Sequence, residues 1–159
     1  MTPRIRGERT SIRPATDADV ERLVEWHADP EVARFWDGET YSADEVRERL
    51  HRPDVACYIV EVDRKPVGLL EAWREPDATG GLDMFLVPPA RGRGLGPDAA
   101  RALAGHLLRR EGWLRVTVDP YLWNKPAIRA WRRAGFEPVE EREPDEWRSA
   151  RWLLMEFRG

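Results

Sequence analysis

A chain of 159 residues is the length of one domain that can bury roughly two thirds of its unfolded surface. Apolar residues at 42% and charged residues at 35% exclude disorder and describe an ordinary globular protein. The formal charge of −3, from 26 basic and 29 acidic residues, argues against a nucleic-acid partner, and the single cysteine, Cys57, excludes an intramolecular disulfide and a cysteine-rich metal site.

No apolar run approaches the thickness of a bilayer, and Thr2 to Arg13 is polar. Neither a membrane span nor a secretory leader is expected, and the expected location is the cytoplasm. Lys65 and Lys125 are the only lysines, a bias that reads as genome composition rather than function. Of the eight tryptophans most are expected in the core, with one or two free to stack on a ligand.

Arg4–Arg13 reads as a first strand ended by Pro14. Thr16 to Asp19 is a cap and acidic first turn for a helix carrying Val20, Leu23, Val24 and Trp26. Pro30 opens a second short helix with Val32, Phe35 and Trp36 on one side, and Asp37-Gly38 is a turn. Ser42 with Glu45 caps a third helix to about Leu50. Val55–Val62 and Val67–Trp73 form a hairpin across Arg64-Lys65-Pro66. Leu82–Val87 is a short apolar strand, and Leu95–Glu111 a long helix with Ala99, Ala100, Leu103, Leu107 and Leu108 inward. Leu114–Val118, Phe136–Glu140 and Arg151–Phe157 are strands, and Ala127–Ala134 is a helix stopped by Gly135. The pattern is that of one mixed α/β sheet with helices on its faces.

The most informative stretch joins the strand at Leu82–Val87 to the long helix through Arg91-Gly92-Arg93-Gly94-Leu95-Gly96-Pro97. Glycines let the backbone take positive φ and approach a ligand closely. A helix N-terminus offers free N–H groups and partial positive charge to phosphates, and Arg91 and Arg93 add forked donors. The bland alternative is a solvated turn, disfavoured by three alternating glycines between a buried strand and a long helix. No Gly-Lys-Ser/Thr follows, which excludes an NTPase loop. Gly94-x-Gly96-x-x-Ala99 with Asp119 twenty residues on also fits a dinucleotide fingerprint. Only forty residues follow Asp119, however, too few to complete a doubly wound sheet.

Arg91-Gly92-x-Gly94-x-Gly96 after a strand, followed by Asn124-x-x-Ala127-Ile128 and then Gly135-Phe136, resembles the GNAT superfamily of acyl-CoA-dependent N-acetyltransferases. The resemblance covers nearly the whole chain. It implies a single acetyltransferase domain over residues 1–159, with one mixed, mostly antiparallel sheet of about seven strands. Helices would cover both faces, and the strands would splay to form an acetyl-CoA cleft. It also implies that Phe85, Leu86 and Val87 pair with the pantetheine arm. Arg91, Gly92, Arg93, Gly94, Leu95, Gly96 and Pro97 would cradle the pyrophosphate, and Asn124 and Ala127 would line the far side of the arm.

Glu25-Trp26 with Asp29-Pro30 and Phe35-Trp36, then Leu82-Asp83-Met84-Phe85-Leu86, then Val118-Asp119-Pro120, looks more narrowly like the aminoglycoside 6′-N-acetyltransferases. By that resemblance Asp83 faces the amine to be acetylated, Asp119 binds another amine, and Trp36 stacks on a sugar ring. The Val87 N–H would meet the developing oxyanion. The family usually has a tyrosine, thought to serve the departing CoA sulfur, where this chain has Trp131. An indole N–H can donate a hydrogen bond but is no useful acid. A thiol leaving group with a pKa around 8.5 needs little help near neutral pH. Tyr121 is the available substitute.

The chemistry is consistent on elementary grounds, because an ammonium cannot attack a thioester until a base takes its proton. A strand carboxylate such as Asp83 has its pKa raised by desolvation and lowered by a cationic ligand. The alternatives are a solvent-facing Asp83, a turn-shaping Asp119 before Pro120, and a Trp36 that only packs beside Phe35. Asp37, Glu39, Glu71 and Asp145 are further sources of acidity for an acceptor pocket.

Four functions compete. The first is acetylation of an aminoglycoside. A second is acetylation of a siderophore hydroxylamine, where the related enzymes carry a His at the place of Asp83. A third is acetylation of a protein N-terminus or a polyamine. The fourth is a non-catalytic acyl-CoA sensor. The expected partner is a small polycationic amine, with no nucleic acid or membrane, and the chain is expected as a monomer or homodimer. No metal site is expected, since His27, His51 and His106 lack ligand spacing. Cys57 reads as a buried small hydrophobe, and Glu140 to Glu143 as a solvated strand end.

Overall fold

The computed structural model describes residues 4–36 and 38–159. The segment expected as one first strand is a hairpin of two, β1 (Ile5–Arg6) and β2 (Ser11–Pro14), turned where the Gly7 N–H donates to the Thr10 carbonyl at 2.8 Å. A 3₁₀ turn at Asp17–Asp19 leads into α1 (Val20–Ala28), followed by α2 (Pro30–Ala33) and α3 (Ala43–Leu50). The Ser42 hydroxyl accepts from the Glu45 N–H and the Glu45 carboxylate from the Ser42 N–H, closing the predicted capping box. β3 (Val55–Val62) and β4 (Lys65–Arg74) meet through Asp63-Arg64, both at positive φ, so the hairpin turn lies one residue earlier than the proline suggested.

Then come β5 (Thr79–Leu86), α4 (Leu95–Arg110), β6 (Arg115–Val118), α5 (Lys125–Ala134), β7 (Phe136–Arg142) and β8 (Trp152–Phe157). They build one eight-stranded sheet in the order β1-β2-β3-β4-β5-β6-β8-β7, antiparallel except where β5 runs parallel to β6. The splitting of the first strand supplies one strand more than the seven expected. The outer strand β7 carries Glu137, Glu140, Glu141 and Arg142 in solvent together with Pro138, which blunts a free sheet edge.

Strand alternation divides the core in two. On one face Leu70, Ala72, Leu82, Val116, Val118 and Met155 pack under α4 and α5, against Ala99, Leu103, Leu107, Trp131 and Ala134. On the other, Ile59, Leu69 and Phe85 pack under α1 to α3, against Val20, Leu23, Val32 and Val46. The parallel ladder of β5 with β6 covers only Thr79–Gly81 against Arg115–Thr117. From there β6 pairs with β8, while β5 runs on to Leu86 with no ladder partner on that side among the described residues. The strands part there, leaving a notch in the middle of the sheet.

Candidate active site

Three carboxylates sit on the α1–α3 face beside this notch. Cys57, Glu71 and Asp83 are direct ladder neighbours across β3, β4 and β5. Asp119 lies two residues past Thr117, which pairs with Gly81, itself two residues before Asp83. Glu71 is buried and fully engaged: Arg49 of α3 donates to it twice, at 2.7 and 3.0 Å, and the Cys57 thiol at 3.1 Å. Cys57 is therefore half-buried and hydrogen-bonded rather than a mere small hydrophobe. Burial first, and then the Glu71 charge, push its thiol pKa far above the ordinary range, which makes it a poor nucleophile.

Among the described residues no arginine pairs directly with Asp83. Burial raises its pKa to about 8, and the charges of Asp119 and Glu71 add to the rise against the opposing pull of Arg49 and Arg148. Asp119 is held at one oxygen, Oδ2, by Arg148, which donates through Nε at 2.7 Å and approaches through a terminal nitrogen at 2.6 Å. Asp145 pairs with the same arginine at 3.0 Å, and the guanidinium lies 3.9 Å from the Trp152 ring centroid. Of the other acidic residues considered, Glu39 accepts from the Tyr41 hydroxyl at 3.0 Å, and Asp37 lies outside the described residues.

The aromatic platform differs from the expected one. Trp36 meets Phe85 edge-on at 5.4 Å and His27 at 5.7 Å, so it belongs to the packing under α1 to α3. Phe35 and Trp123 are exposed and stacked on each other at 6.3 Å, with Tyr121 stacked on Trp123 at 5.8 Å. This row joins the end of α2 to the segment after β6. Its signal in the sequence was Tyr-x-Trp directly after Asp119-Pro120. His27 is buried with Nδ1 unpartnered, and burial lowers its pKa. His51 and His106 pair with Asp17 and Glu111. Among the described residues no group of three or more His, Cys, Asp or Glu is placed to hold a metal ion.

On the other side of the notch, Gly92 and Gly94 both take positive φ, 75° and 77°, and Gly94 is the N-cap of α4. These are conformations that L side chains rarely adopt. A Cβ at Gly96 would stand 3.0 Å from the Met84 methyl, so the first turn of the helix lies directly on β5. Leu95 is buried beneath, and Pro97 occupies the first turn, where its missing N–H costs nothing. The loop thus turns a helix N-terminus toward the notch, with Arg93 exposed beside it. The chemistry fits a diphosphate.

Three expectations for this side need correction. The Val87 N–H donates to the Val67 carbonyl at 2.9 Å and the Val87 carbonyl accepts from Ala90, so neither group is free for an oxyanion or a pantetheine amide. By alternation Phe85 and Asp83 also direct their backbone groups at β4, and Phe85 buries its ring among Trp26, His27 and Trp36. The backbone groups on the notch side are those of Met84 and Leu86. The Arg91 side chain does not reach over the glycine loop: it donates to the Leu86 carbonyl at 3.0 Å and to the Glu31 carbonyl at 2.8 Å, and lies 5.5 Å from the Phe35 ring. It braces α2 against the end of β5.

Asn124 caps α5, its side-chain oxygen accepting from the Ala127 N–H at 3.3 Å, which leaves its NH₂ as a donor at the helix N-terminus. Ala127 is half-buried on the inner face of α5. Trp131 is buried edge-on against Phe136 at 5.3 Å, a core residue more than a donor to a thiol. Two residues were missed altogether. Asp98, buried in the first turn of α4, accepts from the N–H groups of Glu8, Arg9 and Thr10 and from the Thr10 hydroxyl. These bonds together hold its pKa below the ordinary range against the effect of burial. Arg9, carried on that hairpin turn, donates to the Arg93 carbonyl in the glycine loop. No local pattern links residues some ninety positions apart, so neither contact could be read from the sequence.

A family model described as an acetyltransferase (GNAT) domain matches residues 15–143. Curated relatives described as aminoglycoside N(6′)-acetyltransferase type 1, from Klebsiella pneumoniae and Serratia marcescens, are 27% identical over 151 residues, covering 82% of this chain and 75% of theirs. A solved structure of AAC(6′)-Ib with ribostamycin and coenzyme A superposes with a TM-score of 0.82 at 23% identity, covering 94% of this chain and 93% of that one. A spermidine N-acetyltransferase from Vibrio cholerae with CoA and spermine gives 0.81 at 15%, covering 94% and 95%.

Proposed function

Since this chain belongs to the GNAT acetyltransferase family, we propose that it transfers the acetyl group of acetyl-CoA to a primary amine of an aminoglycoside, the 6′-amine. The observation that carries the reading is Asp83. It is a strand carboxylate with a raised pKa at the lip of the notch, on the strand that leads into the glycine loop, in a chain whose curated relatives are named for 6′-acetylation.

When bound, acetyl-CoA supplies an acyl group activated as a thioester. The N–H groups of the loop Gly92 to Gly96 and the positive end of α4 hold its diphosphate, with Arg93 beside them. The notch-facing Leu86 N–H pairs with the pantetheine arm, and the Met84 N–H, deeper in the notch, takes the oxyanion role first given to Val87. Asn124, at the α5 N-terminus, faces the arm from the opposite side. Asp83 accepts a proton from the acceptor ammonium, directly or through water, and so frees the nitrogen lone pair. The N–C bond then forms as the C–S bond breaks, the acylated nitrogen sheds its second proton to become the amide, and the CoA sulfur, leaving as a thiolate, takes up that proton. Asp119 orients the acceptor, and the exposed Phe35 and Trp123 rings offer a sugar-stacking surface in place of Trp36.

The test is product analysis. Incubation with tobramycin and acetyl-CoA should give a singly acetylated product whose position, read by NMR, is the 6′-nitrogen. Acetylation at another nitrogen would overturn the regiochemistry, and no product would overturn the acceptor class.

A further inference from the structure

We propose that Arg148 is a specificity-determining residue: its guanidinium occupies, from within the chain, the place at Asp119 that a second ammonium of the acceptor would take. The inference rests on the reading that Asp83 and Asp119 face an amine acceptor. Arg148 closes on one oxygen of Asp119, Oδ2, through two nitrogens, Nε at 2.7 Å and a terminal nitrogen at 2.6 Å, so its charge sits directly against the carboxylate. The arginine is itself held. Trp152 supports one face at 3.9 Å and Asp145 takes another nitrogen at 3.0 Å.

The segment between β7 and β8 that carries it is tied to itself. The Asp145 carboxylate accepts from the N–H groups of Trp147 and Arg148 at 2.9 and 2.8 Å, and the Asp145 N–H donates to the Arg148 carbonyl. The Ser149 N–H donates to the Tyr121 hydroxyl at 3.3 Å, close to Asp119 in sequence. Both partners are only partly exposed, 20% for Arg148 and 25% for Asp119, so the pair is shielded from full screening by water.

An arginine held this way is always at hand, and an acceptor amine at Asp119 meets a carboxylate whose charge Arg148 already offsets. Arg49 grips both oxygens of Glu71, so among the described residues Asp83 is the one of the three carboxylates on this face with no arginine paired to it. The site therefore takes its main ammonium contact at Asp83, and the contact of a second acceptor ammonium with Asp119 is weakened by Arg148. A polycation gains less here than the count of carboxylates suggests.

The experiment is calorimetric titration of tobramycin, and of methyl 6-amino-6-deoxyglucoside as a single-amine probe, into the protein with CoA present. Arg148→Gln should bind tobramycin about tenfold tighter, on the scale of one freed, partly desolvated charge contact, and bind the monoamine unchanged. Arg148→Lys should stay near the wild type, and Arg148→Gln/Asp119→Asn should lose the gain. Arg148→Met, which keeps the packing on Trp152, serves if Gln fails to fold. Three results overturn the proposal: tobramycin binding no tighter, equal tightening for both probes, or a gain that survives loss of Asp119. Because binding is read without turnover, failure of acetyl transfer would sink the proposed function while this comparison still decides the role of Arg148.

Discussion

Glu71 and Asp83 stand opposite one another on neighbouring strands, and among the described residues only Glu71 of the two has a counter-ion of its own. Arg49 reaches up from α3 to neutralise the buried member of the pair. Asp83 is left to carry the consequences: half-buried, beside two other carboxylates, and so inclined to keep its proton. That asymmetry divides the two acids into a structural one and a chemical one.

The pH dependence of turnover follows. A base must be deprotonated to act, so kcat/KM should rise with pH through about 8 in the wild type. Asp119 contributes to holding that value up, so Asp119→Asn should move the rising limb to lower pH. Measurement of kcat/KM across pH 6 to 9.5 checks both; a limb that stays in place in Asp119→Asn would show that Asp83 is not the group titrating.

Stability should respond to the same group with a definite sign. A carboxylate whose folded pKa is raised from 3.8 to about 8 favours the folded state fully only below the lower value, and that contribution is lost as pH rises toward the higher one. The wild-type melting temperature should fall relative to that of Asp83→Asn between about pH 4 and pH 8. Parallel melting curves for the two proteins over that window would contradict the assignment.

Breaking the Arg49 fork should be costly. Arg49→Ala leaves Glu71 buried with only the Cys57 thiol, and the expected loss is about 3 kcal/mol in chemical denaturation. Arg49→Met with Glu71→Leu should recover most of it, because the pair is replaced by apolar groups rather than halved. A double variant no better than the single one would mean that the charge network, not its balance, supports the fold.

Asp98 couples the N-terminal hairpin to the glycine loop. Asp98→Ala orphans three backbone N–H groups, and should cost about 3 kcal/mol. The same change should weaken acetyl-CoA binding, measured by titration, more than it weakens acceptor binding, since Arg9 loses its hold on the loop. Equal weakening of both ligands would point to general loosening instead.

The parts of this protein that were legible in its sequence were those written in local chemistry. The capping box at Ser42, the left-handed stop at Gly135 and the strand–glycine–helix passage through Gly94 each depend on a few adjacent residues. The single sheet with helices on both faces followed from their order. The errors were of two kinds. Backbone direction depends on register, so the choice of Val87 as the free N–H failed once Val67 claimed it. Long-range side-chain partners were invisible: Arg148 on Asp119, Asp98 on the turn after β1, and Arg91 on Glu31 join residues brought together only by the fold. The pair Phe35-Trp36 shows a subtler limit: the helix expected to carry both ends at Ala33, the two rings lie in the turn after it and point apart, and the sequence does not say which one is left outside.

The most direct test of the account is thiol release from acetyl-CoA with tobramycin as acceptor, for the wild type and Asp83→Asn side by side. The prediction is steady release by the wild type and a loss of at least about 100-fold in Asp83→Asn, the usual contribution of a positioned base. Wild-type turnover that Asp83→Asn retains would contradict the assignment of Asp83, and absence of turnover in a wild type that binds acetyl-CoA would contradict the acceptor.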